Sequence, residues 1–305
     1  MTSIVRSRVY SLAFVALCVA GCNTPARDTP AAFGAAPAAS RTIPSGAAYE
    51  IEAIGLDYAF SLPDTVDAGR TSFKFTNKGK VVHEYNVVLL KEGVTLRQYI
   101  DAANSKEPLA LLRDAPLGVL FAEPGRTSAS VLSAELLPGR TYAVQCIFRD
   151  SASAPSHREL GMFKSFTVRQ ATVPAASVAP LAFDTIVGND YAYTQYPKTL
   201  TPGWHHFAFV NAGKQRHEIS VALLKPGVTL KQILDIDAKG GDIWGVVEES
   251  LGVLHAEAGT APLGSLDFDV QAGREYIVIC EFSDMPKAPS HFALGMVASM
   301  VASKP

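Results

Sequence analysis

The chain has 305 residues, 48% of them hydrophobic and 18% charged, with a formal net charge of −2. That length is long for one domain and comfortable for two, and the apolar content is enough to bury a core in each. With no basic run and no acidic tail, the near-balance of charge gives no footing for a nucleic-acid partner or a strongly charged substrate.

Residues 1–21 read as a secretion signal. Arg6 and Arg8 precede a mostly apolar stretch, residues 9–20, that is too short to span a bilayer. Its end, Val19-Ala20-Gly21-Cys22, resembles the lipobox of bacterial lipoproteins. The resemblance implies that Cys22 is lipidated and becomes the mature N-terminus, anchored in a bacterial cell envelope. Asn23 rather than Asp follows it, which points to the periplasmic face of the outer membrane or the cell surface. Residues 22–48, rich in Ala, Pro, Ser and Thr, read as a flexible tether.

Two repeats follow, 49–168 and 181–303, joined by an Ala/Pro/Val-rich linker at 169–180. With a shift of 134 residues they align without a gap from about 75 to 165. Phe75-Thr-Asn77-Lys-Gly79 meets Phe209-Val-Asn211-Ala-Gly213, and Leu117-Gly118-Val119-Leu120 meets Leu251-Gly252-Val253-Leu254. The period is a whole domain, so this is a tandem duplication rather than a solenoid.

Within each repeat the pattern is mostly strands. Thr71-Ser-Phe-Lys-Phe-Thr and Arg140-Thr-Tyr-Ala-Val-Gln-Cys alternate with period two, while Tyr85-Asn-Val-Val-Leu-Leu and Ile219-Ser-Val-Ala-Leu-Leu read as more buried strands. Pro138-Gly139 and Ala272-Gly273 mark turns before the strand that leads to a cysteine. Thr95-Leu-Arg-Gln98 and Thr229-Leu-Lys-Gln232 are capping boxes, predicting one short helix per repeat. The expected fold is all-β, two tandem β-sandwiches with one inserted helix each.

The chemistry sits in two quartets: His83, Cys146, His157 and Met162, and 134 residues later His217, Cys280, His291 and Met296. Singly, each is more often core or a satisfied polar residue than a ligand. As an ordered set present twice, two imidazoles, a thiolate and a thioether match the donors of a blue-copper site. Thiolate suits copper in its reduced state, imidazole suits both states, and a distant thioether favours the reduced one.

These motifs resemble the cupredoxins, the blue (type 1) copper proteins. In that family the first His follows a strand and an Asn/Gly turn, here Asn77-Lys-Gly79…His83 and Asn211-Ala-Gly213…His217. A single loop then gives Cys, His and Met, ending here in Gly161-Met162 and Gly295-Met296. The resemblance covers nearly the whole mature chain and implies Greek-key sandwiches with up to two type 1 coppers. It also places the loop imidazoles, His157 and His291, near the surface as electron exits.

Two features depart from the family. Ten residues separate Cys from the loop His, more than in small carriers. Glu84 and Glu218 stand where Asn often braces the Cys loop. Asp150 and Asp284, four residues after each Cys, are expected to hold the loop by Asx-type hydrogen bonds.

The function expected is electron transfer with a redox protein that the sequence does not name, with copper storage, sensing or delivery as the alternative. A nitrite reductase or multicopper oxidase would need a second copper fed by extra histidines, one directly before the Cys. Gln145 and Ile279 stand there, no His-X-His occurs, and the remaining histidines, His205, His206 and His255, all lie in repeat two. A disulfide between Cys146 and Cys280 is disfavoured, because equivalent positions in separate repeats seldom meet.

Overall fold

The structure is a computed structural model and describes residues 49–105, 107–151, 153–171 and 181–304. The signal, the tether with Cys22 and nearly all of the linker lie outside the described residues. The first repeat runs β1 (Tyr49–Leu56), β2 (Ala59–Ser61), β3 (Thr65–Asp67), β4 (Gly69–Asn77), β5 (His83–Leu90), α1 (Leu96–Asn104), β6 (Arg113–Ala122), β7 (Val131–Leu136), β8 (Thr141–Gln145) and β9 (Phe163–Arg169). The second runs β10 (Asp184–Asn189), β11 (Ala192–Gln195), β12 (Thr199–Leu200), β13 (Gly203–Asn211), β14 (His217–Leu224), α2 (Leu230–Ala238), β15 (Val247–Ala256), β16 (Gly264–Val270), β17 (Glu275–Ile279) and β18 (Val297–Ala302). The all-β reading and the two capped helices are what the structure shows. In each helix the cap Thr hydroxyl accepts from the Gln backbone N–H, and the Gln side chain accepts from the Thr backbone N–H.

Every residue of β5 and of β14 is buried. Alternate residues face opposite ways along a strand. Tyr85, Val87 and Leu89 enter the main core, while Val88 and Leu90 pack with Tyr99 and Ile100 of α1 on the opposite face. A strand covered on both faces reads as a continuous apolar run, which is why these segments do not alternate in sequence.

The two sandwiches are fused edge to edge. One sheet has eight strands in the order β11-β10-β13-β16-β7-β4-β1-β2, and the other ten, β12-β18-β17-β14-β15-β6-β5-β8-β9-β3. The repeats join where β7 pairs antiparallel with β16 and β6 with β15. Leu132 pairs with Leu266 and Val119 with Val253, so each residue meets its own counterpart 134 positions on. A local two-fold axis therefore passes through both seams.

Close approach at this axis explains one shared motif. A Cβ on Gly118 would lie 3.1 Å from the Val253 carbonyl oxygen, and one on Gly252 would lie 2.6 Å from that of Val119. Both glycines also have positive φ, 158° and 122°. The seam carries a buried polar cluster as well. Asp267 accepts from Ser133 Oγ at 2.5 Å and from Ser265 Oγ at 3.0 Å, and lies 3.2 Å from His206 Nδ1. Arg113–Glu257 at 2.7 Å and Arg126–Glu249 at 3.3 Å cross between the repeats nearer the surface.

Candidate metal centres

Each centre is assembled from two strand ends and one loop. In the first repeat, Asn77 closes β4 and shapes the turn into β5. Its amide donates to Val81 O and Ala122 O, and its Oδ1 accepts from Gly79 N. A Cβ on Gly79 would lie 2.8 Å from His83 Nε2, so only glycine lets the turn pass beside that ring. Cys146 is the first residue beyond β8, pinned by its N–H to Met162 O at 3.1 Å. The loop folds back on itself through His157 N to Phe148 O, Arg158 N to Cys146 O and Met162 N to His157 O. The same bonds recur at Cys280, Phe282, His291, Phe292 and Met296.

These constraints bring His83, Cys146 and His157 together, and separately His217, Cys280 and His291. The two imidazoles of the first centre face each other with Nδ1 atoms 3.0 Å apart. Cys146 Sγ lies 3.4 Å from His157 Nδ1 and 4.0 Å from His83 Nδ1. In the second centre the matching distances are 2.9, 3.4 and 3.9 Å. Met162 and Met296 are fully buried and belong to the main core, Met162 packing near Gly55 and Met296 near Gly188. Cys146 and Cys280 are free thiols.

The outward nitrogens carry a second ring of contacts. His157 Nε2 lies 3.1 Å from Asp150 Oδ1, and His291 Nε2 lies 3.0 Å from Asp284 Oδ1. His83 Nε2 and His217 Nε2 sit 3.7 and 3.6 Å from Asp57 and Asp190. A proton on His157 or His291 Nε2, held by its carboxylate, leaves that ring's Nδ1 as a bare acceptor turned toward the other imidazole and the sulfur. A bound cation would take up that lone pair, in the carboxylate–imidazole–metal pattern.

Burial acts in the same direction. It holds His83 down to about 4, helped by the neighbouring His157, and it holds His217 below its ordinary range for the same two reasons. Neutral imidazole is the form that binds metal. Burial, with the charge of Glu84 or Glu218, pushes both thiols up, so the metal-free cysteines are protonated and a cation entering the site displaces a proton.

Three expectations are corrected here. The loop imidazoles do not lie near the surface: His157 and His291 are 0% and 1% exposed, no more than His83 and His217 at 0%. Tyr58 and Tyr191 cover them edge-on, ring centroids 5.1 Å away in both repeats, and donate to Asp150 and Asp284 at 3.5 and 2.5 Å. Asp150 and Asp284 therefore orient the imidazoles rather than forming Asx turns. The bracing bond to the Cys loop is kept by the glutamates. Glu84 Oε1 accepts from Ile147 N at 2.8 Å and Glu218 Oε1 from Glu281 N at 3.0 Å, while Glu84 N–H points at Cys146 Sγ at 3.4 Å. Burial raises both carboxyls to about 7. His205 and His206 are half-buried, with Nδ1 atoms 2.6 and 3.2 Å from carboxylate oxygens of Asp184 and Asp267.

Tyr58 and Tyr191 are the residues that the sequence reading passed over. Both adopt positive φ, 64° and 62°, which non-glycine residues rarely do. The signal was present: Asp57-Tyr58 and Asp190-Tyr191 are the same dipeptide, but 133 residues apart rather than 134. They lie upstream of the gapless alignment and fall out of register in it.

No family model matches the chain, and no curated protein matches it. Among solved structures, a reduced auracyanin from Roseiflexus castenholzii is 18% identical, covering 39% of this chain and 94% of its own, with a TM-score of 0.27. A multicopper oxidase is 13% identical, covering 86% and 92%, at 0.26. The copper nitrite reductase of Nitrosomonas europaea is 14% identical, covering 84% and 93%, at 0.24. All three scores are low, and the reading of the centres rests on their own atoms. Two imidazoles and one thiol in a buried trigonal set fit copper better than the harder cations, which prefer oxygen. The chain thus pairs two β-sandwich repeats, each holding a buried His-Cys-His centre whose donors support a copper cofactor.

Proposed function

We propose that the protein carries electrons at a bacterial cell envelope, with one type 1 copper in each repeat and Met162 and Met296 as the weak axial ligands. One observation carries the reading. Both donor sets are closed and almost wholly buried, and they are braced in the same way in each repeat by strand ends, loop hydrogen bonds and outer carboxylates. Copper supplies a one-electron couple when bound. The chain's part is to keep the donors fixed, so that neither oxidation state requires rearrangement, and to exclude water so that no substrate position opens. Asp150 and Asp284 hold the imidazole protons outward, Glu84 and Glu218 hold the Cys loops, and Tyr58 and Tyr191 close the surface above the loop histidines. Lipidation of Cys22 would anchor this unit to the membrane, and mass spectrometry of the mature N-terminus tests that.

The deciding measurement is a Cu(II) titration of the soluble form followed by visible absorption. An intense thiolate-to-copper band saturating at two equivalents is expected, with Cys146→Ser and Cys280→Ser each removing one. Absence of the band would overturn the reading. Copper delivery is separated from electron transfer by exchange: a carrier with lidded sites surrenders copper to an external chelator far more slowly than it reacts with a small redox partner, and the reverse order would favour delivery.

A further inference from the structure

The two repeats are not chemically equal where they face each other. Three positions change from apolar to polar between them: Val82 becomes Arg216, Phe121 becomes His255, and Ile147 becomes Glu281. Arg216 and His255 converge on one cleft of about 400 Å³ that takes residues from both repeats, and Ile147 lines its other side. That is the size of a small-molecule site. The cleft opens beside the β6–β15 seam, on the side of the ten-stranded sheet that carries Glu84, Asn86, Val119 and Val253. Asn86 shares this face with Val88, which packs under α1 rather than into the main core.

Its walls are apolar and aromatic. Val119, Phe121 and Val253 form a small buried cluster of their own, apart from the main core. Phe282 lies opposite, with the Arg216 guanidinium stacked 4.1 Å above its ring and His255 edge-on to it at 6.2 Å. Arg216 donates to His255 Nδ1 at 3.2 Å, which leaves the His255 proton on Nε2.

Two polar atoms of the lining lack a hydrogen-bond partner although both are buried. One is Asn86 Oδ1, an acceptor on a residue only 6% exposed. The other is Arg216 Nε, a donor that stands 3.8 Å from the Glu257 carboxylate. An unmet donor and an unmet acceptor in one apolar cleft call for a ligand that supplies both. A carboxylate only accepts and would face the Asn86 oxygen. An ammonium only donates and would face Arg216. A ring hydroxyl does both from a single atom, and the planar ring behind it matches the Phe121 and Phe282 walls.

We propose that the cleft between the repeats is a binding site for a small hydroxylated aromatic molecule, of the phenol or resorcinol class, with its ring between Phe121 and Phe282 and its hydroxyl between Arg216 and Asn86. The proposal does not rest on the electron-transfer reading and would stand if that reading fell.

The test is calorimetric titration of the full soluble chain with resorcinol, and with 1,3-dimethoxybenzene as the probe that keeps the ring and loses the hydroxyl donors. Resorcinol binds saturably at one site, and the dimethyl ether binds about tenfold or more weaker, because the Asn86 oxygen is left unpaired. Arg216→Val with His255→Phe gives the second repeat the residues of the first, and resorcinol affinity falls by a similar factor while the copper stoichiometry stays unchanged. Should that pair disturb the fold, Asn86→Ser, the residue that the second repeat carries at Ser220, gives the same loss. No saturable resorcinol binding would overturn the proposal. Equal affinity for the ether, or unchanged affinity in a folded variant, would also overturn it.

Discussion

The outermost atoms of each centre decide which nitrogen meets the metal. Asp284 lies 3.0 Å from His291 Nε2 and accepts from Tyr191 at 2.5 Å, and the Tyr191 bond holds its carboxyl below the usual carboxylate range. Asp284→Asn keeps the shape but loses the charge that fixes the imidazole proton. Copper affinity at the second centre is expected to drop about 10- to 100-fold, read by competition with a chelator of known affinity. Glu84→Ala removes the acceptor of the Ile147 N–H inside the protein, and an expected loss of about 1–3 kcal/mol would appear in denaturant unfolding.

His255 supplies the pH dependence. Burial first, and then the positive charges of Arg216 and Arg113, hold its imidazole well below the ordinary 6.5. Glu218 pairs with it across the strands, and Glu84 and Asp284 line the same cleft. The unfolded chain binds a proton as pH falls through 6.5 and the folded chain does not, so the contribution of His255 is present above that pH and is lost below it. His255→Phe should flatten the acid limb of the metal-free protein's stability by up to about 1.4 kcal/mol per pH unit, measured by urea unfolding between neutral pH and mild acid.

At the scale of elements, the strands, both helices and the order of ligands were legible because they rest on local rules. Alternation marks β4 and β8, and the capping boxes mark α1 and α2. Thr95→Ala should cost about 1 kcal/mol, since the hydroxyl caps a helix whose buried face covers β5. The setting of the loop histidines was not legible. Whether a loop residue lies at the surface depends on what a distant turn places over it, and the cover here comes from Tyr58, almost a hundred residues upstream of His157. Nor could the role of Gly118 and Gly252 be read. A shared glycine looks like a turn until the opposite strand is in place. Gly252→Ala sets a Cβ 2.6 Å from the Val119 carbonyl oxygen at a φ of 122°, and a loss of about 2–4 kcal/mol is expected in thermal or denaturant unfolding.

Across the whole molecule, the duplication was plain in the sequence but the way its halves join was not, because strand pairing between repeats leaves no periodic trace. The join has a polar key. Asp267→Ala would leave the Ser133 and Ser265 hydroxyls without their shared acceptor at a fully buried seam, and an expected loss of about 2–3 kcal/mol should be accompanied by easier proteolysis between the repeats.

The axis through Leu132/Leu266 and Val119/Val253 has a further consequence. A surface whose residues meet their own images is isologous, so the first repeat already carries the mate for a second copy of itself. The covalent tie then raises the local concentration of one half around the other but does not specify the pairing. A chain cut down to repeat one should form a homodimer in dilute solution, with two copper centres related by true rather than approximate symmetry. It would lack the cleft's Arg216 and His255, which belong to repeat two alone. In that sense, the chain is a dimer whose two subunits have been free to diverge.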